Sequence, residues 1–156
     1  MSGLIIVDAI DKSQMEFDFP EEITKENNPI YASENIVGRA TPRHQFISGG
    51  ERTMRLPLNV HWRENENEVE KAVSWLESLT YPEITHTGEI KGAPHPVLLV
   101  MGKFLNGNIY IVKSVSQRYH SLWVYPSGMP CYAAIQLELW LHKKININYK
   151  TVRRFL

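Results

Sequence analysis

The chain has 156 residues, of which 43% are hydrophobic and 22% charged, a composition that suits one globular domain and argues against disorder. Its 17 basic and 17 acidic residues give a formal net charge of zero. A nucleic-acid partner is not expected, because such binding usually needs a basic face. Copies of a neutral chain also repel one another only weakly, so self-association is permitted.

The cysteine content and the N-terminus bear on the compartment. Cys131 has no second cysteine to pair with, which fits a reducing compartment and predicts a small packed side chain rather than a nucleophile. The opening MSGLIIVDAI lacks a basic region, and its apolar run is too short for a signal peptide or a membrane span. We therefore expect synthesis in the cytoplasm and no membrane association.

Residues 20–45 show no regular period and contain three prolines. They predict either a strand with a long excursion or a mobile loop that orders on assembly, since loops of this length are usually functional or disordered.

Residues 48–52, SGGER, carry two glycines without the lysine and helix of a phosphate-binding loop. They predict a tight turn that opens the next strand.

That strand is predicted in ERTMRLPLNVHW, residues 51–62. Its apolar side chains recur at period two, which gives the strand one core-facing side. The apolar set is Met54, Leu56, Leu58, Val60 and Trp62. Pro57 cannot donate to a ladder, so an edge or bulge position is expected there.

One helix is predicted at about residues 65–79, where apolar residues follow the i, i+3, i+4, i+7 pattern. Asn65 is the expected N-cap, with Glu68 as the reciprocal residue of a capping box. The sequence TYP at 80–82 ends the helix. A single apolar stripe of this kind predicts packing on or across the end of a sheet.

The second half of the chain predicts a three-stranded antiparallel meander over residues 97–141. HPVLLVMGKF (95–104) is apolar on both faces, as in a strand buried on both sides. Asn106-Gly107 predicts a type I′ turn that pairs 97–104 with 108–119. In 131–142 one alternating face is almost purely aliphatic and the other is mixed.

The sequence carries no recognisable catalytic, nucleotide-binding or metal-binding motif. His86 and His95 share one loop, which leaves a chance metal site open, although no histidine has metal-ligand spacing. Glu138 on the mixed face is either a general acid or, as we favour, half of a cross-strand or intersubunit salt bridge. We assign no catalytic, cofactor-binding or metal residue and do not expect an enzyme.

Four tryptophans spread over three strands and the helix remain to be explained: Trp62, Trp75, Trp123 and Trp140. They predict core and interface anchors, with a sugar-binding platform as the alternative.

The order of these features resembles the tail-tube fold family of contractile phage tails and related injection systems, especially tube-like domains of baseplate hub and tube initiator proteins. The residues that carry the resemblance are Gly49, Gly50, Arg52 and Thr53, then Pro96 through Gly102, then Gly107, and finally Gly128, Pro130, Ala133 and Ile135. They fall within residues 15–142, which is most of the chain.

The resemblance implies a mainly β (α+β) fold, an antiparallel β-barrel or sandwich with one flanking helix. Residues 1–142 would form one tube-like domain, and 143–156 a C-terminal tail. It implies a structural virion protein of the baseplate or proximal tube, without cofactors, that assembles as a homo-oligomeric ring, hexameric in such tubes. The ring would join the tube or hub to neighbouring baseplate proteins.

We expect the partner contacts to lie in the loop 23–45 and in the basic tail. The cations of the tail, which would meet acidic neighbours, are Lys143, Lys144, Lys150, Arg153 and Arg154. Two other classes of function stay open. One is a module that binds cell-wall glycan or another ligand through Trp123 and Tyr125, and the other is a hydrolase that uses Glu138 with a nearby histidine.

Overall fold

The computed structural model describes residues 3–119 and 122–142, with backbone alone at Asn106 and Gly107. The elements in chain order are β1 (Gly3–Asp8), β2 (Gln14–Asp18), β3 (Thr24–Glu34), β4 (Arg43–His61), α1 (Glu68–Ser78), β5 (Glu83–Ile84), β6 (Ile90–Gly92), β7 (Val97–Met101), β8 (Leu105–Tyr119) and β9 (Tyr132–Leu141).

Seven of the strands form one antiparallel sheet in the order β2-β1-β7-β8-β9-β4-β3, and β5 and β6 form a separate hairpin. The predicted mainly β class with one helix is therefore confirmed, as is the meander β7-β8-β9. Across the described strands the sheet is open, with β2 and β3 at its two edges, and is not a closed barrel.

The core lies between one face of this sheet and α1. In β9 the buried positions alternate as predicted, and Leu137 stands opposite Leu56 of β4 and Val115 of β8. Helix α1 covers this aliphatic face with its own buried stripe, Val69, Ala72, Val73 and Leu76. Period-two strands and a period-3.6 helix thus meet along their apolar sides, as their sequences require.

The helix begins at Glu68, three residues later than predicted. The predicted capping box is wrong. Asn67 occupies the N-cap position, Asn65 accepts a bond from the Asn67 amide at 3.0 Å, and Glu68 accepts one from the Arg63 amide at 3.0 Å. The two side chains therefore order the turn before the helix. No helix in the described residues is long and apolar enough to cross a bilayer.

The β7–β8 pairing is confirmed, but the predicted turn at Asn106-Gly107 is wrong. Met101 pairs with Leu105, so residues 102–104 make the turn, where Gly102 has a φ of 53°. Asn106 and Gly107 lie inside β8, at a register shift in its pairing with β7. Gly102 and Gly107 could each take a positive φ, as the turn requires. The pairing of β7 with β8 places the turn at Gly102.

Strand β4 is 19 residues long and begins well before the predicted start. Pro57 pairs with Gln136 of β9 on one side, while the ladder to β3 already ends at Arg55. Pro57 is thus at a locally unpaired edge of β4, as its missing amide requires.

Candidate interaction surface

The most prominent surface feature is a long two-stranded ribbon made by β3 and the first half of β4, here called the arm (residues 27–52). Strand β9 pairs with β4 only from Thr53 onward, so within the arm the two strands pair with each other alone. Every residue from Asn27 to Ile47 is exposed. The irregular segment at 20–45 is therefore mostly strand, with a tip at 35–42.

The two glycines predicted to open a strand lie in the middle of β4 instead, and the tight-turn prediction is wrong. The β3–β4 register shifts between Asn28 and Ile30 and again between Ile30 and Tyr31, which are β-bulges that bend and twist the ribbon. Gly50 has a φ of 60°, and a Cβ there would lie 1.7 Å from the Asn28 carbonyl oxygen. Glycine is thus required where the arm bends.

Cross-strand pairs hold the arm together. Near its base, Arg55 donates to Glu26 at 2.7 Å in a half-exposed ion pair, and Arg52 donates to Asn27 at 2.9 Å. Further out, the rings of Tyr31 and Phe46 meet edge to face with centroids 5.6 Å apart. Such pairs are the unit of stabilisation in a two-stranded ribbon.

The arm exposes large apolar side chains along its length and at its tip. Their exposed fractions are Ile30 50%, Tyr31 54%, Ile36 37%, Val37 102%, Phe46 61% and Ile47 61%. A two-stranded ribbon is marginally stable by itself, and large apolar side chains gathered on an exposed ribbon favour a contact with another molecule. The arm is therefore the best candidate interaction surface of the described chain.

A second aromatic group lies on the loop that precedes β9. Trp123 pairs with Pro130 in an isolated bridge, and its ring lies 6.4 Å from that of Tyr119. Trp123 and Tyr125 are 56% and 94% exposed. Burial, followed by the bond to Glu70, raises the pKa of Tyr119 to about 12. The rings of Trp123 and Tyr125 are available to a ligand, whereas Tyr119 at the end of β8 donates its hydroxyl to Glu70 of α1 at 3.1 Å.

Glu138 forms the predicted cross-strand salt bridge. Its carboxylate lies 3.2 Å from the Lys113 ammonium of β8, and Lys113 also covers the Trp140 ring at 5.0 Å. Trp75, the tryptophan on the helix, donates its indole N–H to the Ser13 hydroxyl at 3.1 Å. Glu138 and Trp75 are thus engaged in contacts within the fold.

The sequence left open a metal site formed by His86 and His95. In the structure the polar cluster around His95 does not include His86. His95 lies 2.8 Å from buried Asp8 and 3.2 Å from Glu83. The bond to Asp8 is the main cause of a raised pKa for His95. Asp8, Asp11 and His95 come within 4.8 Å of one another, but hydrogen bonds within the fold engage all three, so we interpret them as an internal network.

A cleft of about 410 Å³ opens between β2, the end of β4 and the start of α1. Its floor is apolar, with Met15, Phe17 and Val60, and charged side chains line its rim. Arg63 and Asp18 on that rim form an ion pair at 2.9 Å.

Neither a protein-family model nor a curated protein matches this sequence. The fold is shared with a protein of the phage hub class. It is similar to the structure of SPP1 Dit, described as a paradigm of the hub adsorption apparatus in phages that infect Gram-positive hosts, with a TM-score of 0.57 and 8% identity. The match covers 90% of this chain and 50% of that one, so this chain spans about half the length of Dit.

Proposed function

We propose that this chain is a structural protein of a contractile phage tail or injection-system baseplate or proximal tube. Copies assemble as a ring, with six as the expected number, and the ring joins the tube or hub to neighbouring baseplate proteins. On this proposal residues 1–142 form one domain located in the virion tail, and the chain needs no cofactor and performs no catalysis.

The observation that carries the proposal is the arm. A ribbon of two strands with Tyr31, Phe46 and Ile47 all more than half exposed leaves apolar area and strand edges in water. Both liabilities are removed when a neighbouring subunit packs on the ribbon, and a ring closes such contacts on themselves. The similarity in fold to a phage hub protein supports the same class of function.

The open ends of the sheet support self-assembly. Strands β2 and β3 are the two edges of the seven-stranded sheet, so a copy offers two different edges for head-to-tail contact. The basic tail 143–156, predicted as a further contact, lies outside the described residues. We keep it as a proposed contact with acidic neighbours on its sequence alone.

The test compares two groups of aromatic residues. The double variant Tyr31→Ser/Phe46→Ser removes the exposed ring pair of the arm and leaves the core untouched. We expect the melting temperature of the core to be unchanged, with incorporation into particles reduced at least about tenfold, the effect of about 1.4 kcal/mol. The matched control, Trp123→Ser/Tyr125→Ser, removes exposed rings elsewhere and should incorporate normally. Normal incorporation of the arm variant would contradict the proposal.

A glycan-binding module is the second candidate, favoured by the exposure of Trp123 and Tyr125 on one loop. Sugar rings stack on exposed aromatic faces, so this function predicts a monomer with measurable affinity for cell-wall fragments. The same pair of variants separates the two functions. Loss of fragment binding in Trp123→Ser/Tyr125→Ser, with the arm variant unaffected, would favour the glycan module.

A further inference from the structure

The β5–β6 hairpin, residues 83–92, lies outside the main sheet and is held as a small unit of its own. Its two strands pair through Glu83 with Gly92 and Ile84 with Ile90. Gly88 in the turn has a φ of 87°. The hairpin presents Ile84 at 60% and Ile90 at 73% exposure. Its orientation therefore decides where an apolar patch is displayed.

The imidazole of His95 bridges this hairpin and the main sheet. His95 Nδ1 lies 2.8 Å from an Asp8 oxygen at the end of β1, and His95 Nε2 lies 3.2 Å from a Glu83 oxygen of β5. A carboxylate only accepts hydrogen bonds. Both contacts can be hydrogen bonds at once only when the ring carries two protons, and the ring is then an imidazolium ion.

We propose that His95 acts as a proton-dependent connection, in which the imidazolium fixes the β5–β6 hairpin to the main sheet and the neutral imidazole releases it. Proton loss leaves one N–H on the ring, which can serve one carboxylate. The other ring nitrogen then turns a lone pair toward a carboxylate oxygen, and that contact is repulsive.

The two carboxylates are not equivalent, so the structure decides which bond is kept. The Asp8 side chain is 5% exposed, whereas that of Glu83 is 48% exposed. Asp8 also accepts the amides of Ile10 and Asp11 at 2.8 and 3.2 Å, which fixes its position. An unpaired buried carboxylate costs far more than one that can turn into water. The neutral ring therefore keeps its hydrogen bond to Asp8 and loses the one to Glu83.

The charges around His95 set the direction of the pH effect. Asp8 from β1, Asp11 from the turn after it and Glu83 from β5 face the ring, and all three are acidic. The hydrogen bond to Asp8 is the main cause of the raised pKa of His95; burial acts against it, and the bond to Glu83 adds to it. The unperturbed pKa of histidine is about 6.5, and below that pH the ring is protonated and both bonds are formed. The bond to Glu83 is lost as the pH rises through the raised pKa that His95 has in the folded protein.

Nuclear magnetic resonance on the isolated full chain tests this inference without reference to assembly. The His95 ring and the backbone amides of 83–92 are followed through one pH titration. We expect the amide shifts to change with the same midpoint as the ring. Glu83→Gln should lower that midpoint, and His95→Gln should hold the hairpin in its released state at every pH.

Two variants of the same hairpin are matched controls. Glu89→Gln removes an exposed carboxylate that does not reach the ring, and His86→Gln removes the hairpin's own histidine. Both should leave the coupled titration unchanged. Hairpin amides that do not follow the His95 ring, or an equal effect of Glu89→Gln and Glu83→Gln, would overturn the inference.

Discussion

At the scale of single residues, burial explains which side chains could be placed from the sequence. The alternation in residues 131–142 predicts that Leu137 belongs to the aliphatic face, and in the structure it is 1% exposed. In a strand with one buried face, the alternating aliphatic side chains must all lie on that face, because a register slip of one residue would expose all of them. Glu138, its neighbour, was placed correctly on the opposite face, where it pairs with Lys113.

The sequence could not reveal the partners of His95. Asp8 and Glu83 lie 87 and 12 positions away along the chain. Only the pairing of β1 with β7, which brings Asp8 opposite Val97, places that aspartate beside residue 95. A local pattern contains no information on such a contact, because long-range strand pairing creates it.

One substitution tests the core at this scale. Leu137→Asp would bury an unpaired carboxylate between Leu56 and Val115, the facing residues of the adjacent strands. We expect the free energy of unfolding to fall by about 4 kcal/mol or more, which removes most of the stability of a domain at the lower end of the usual range. Chemical denaturation monitored by circular dichroism measures this.

The matched control is Gln136→Asp, one residue earlier on the same strand and exposed. It places the same new charge on the solvent side, so stability should change by less than about 0.5 kcal/mol. Equal stability of Leu137→Asp and Gln136→Asp would contradict the register of β9.

At the scale of elements, the amphipathic strands and the helix were predicted, and the arm was not. Residues 27–47 are exposed throughout, so their sequence has no buried face and hence no period-two signal. The available signal was Asn28-Pro29 on one strand and Gly49-Gly50 on the other, which face each other as bulges in a ribbon. Neither pair is distinguishable locally from a turn.

The bend in the arm depends on Gly50. Gly50→Ala adds a Cβ that meets the Asn28 carbonyl oxygen and forces an L residue to keep a φ of 60°. Such strain costs about 1–3 kcal/mol, comparable to the whole stability of a two-stranded ribbon. We expect loss of the Tyr31–Phe46 ring contact in nuclear Overhauser spectra, with the signals of the core unchanged.

Gly49→Ala provides the comparison at the adjacent position. A Cβ on Gly49 meets nothing within 4 Å, so the ring contact in the arm should persist. If both alanine variants kept the Tyr31–Phe46 contact, the described bulge geometry would be incorrect.

At the scale of the whole molecule, the sheet explains why assembly is the function we propose. A seven-stranded open sheet has two free edges, and one of its hairpins extends beyond the core as an exposed apolar ribbon. An isolated monomer would have to tolerate both features, although natural proteins generally cover or blunt such edges. On our proposal, a neighbouring copy would cover both without any reactive side chain.

A three-dimensional reconstruction of the assembled particle by electron cryomicroscopy tests this account most directly. We predict copies of the chain arranged in a ring, with Tyr31, Phe46 and Ile47 of each arm buried against a neighbouring subunit. A reconstruction in which the chain is a separate globule, with water on both sides of the arm, would contradict it.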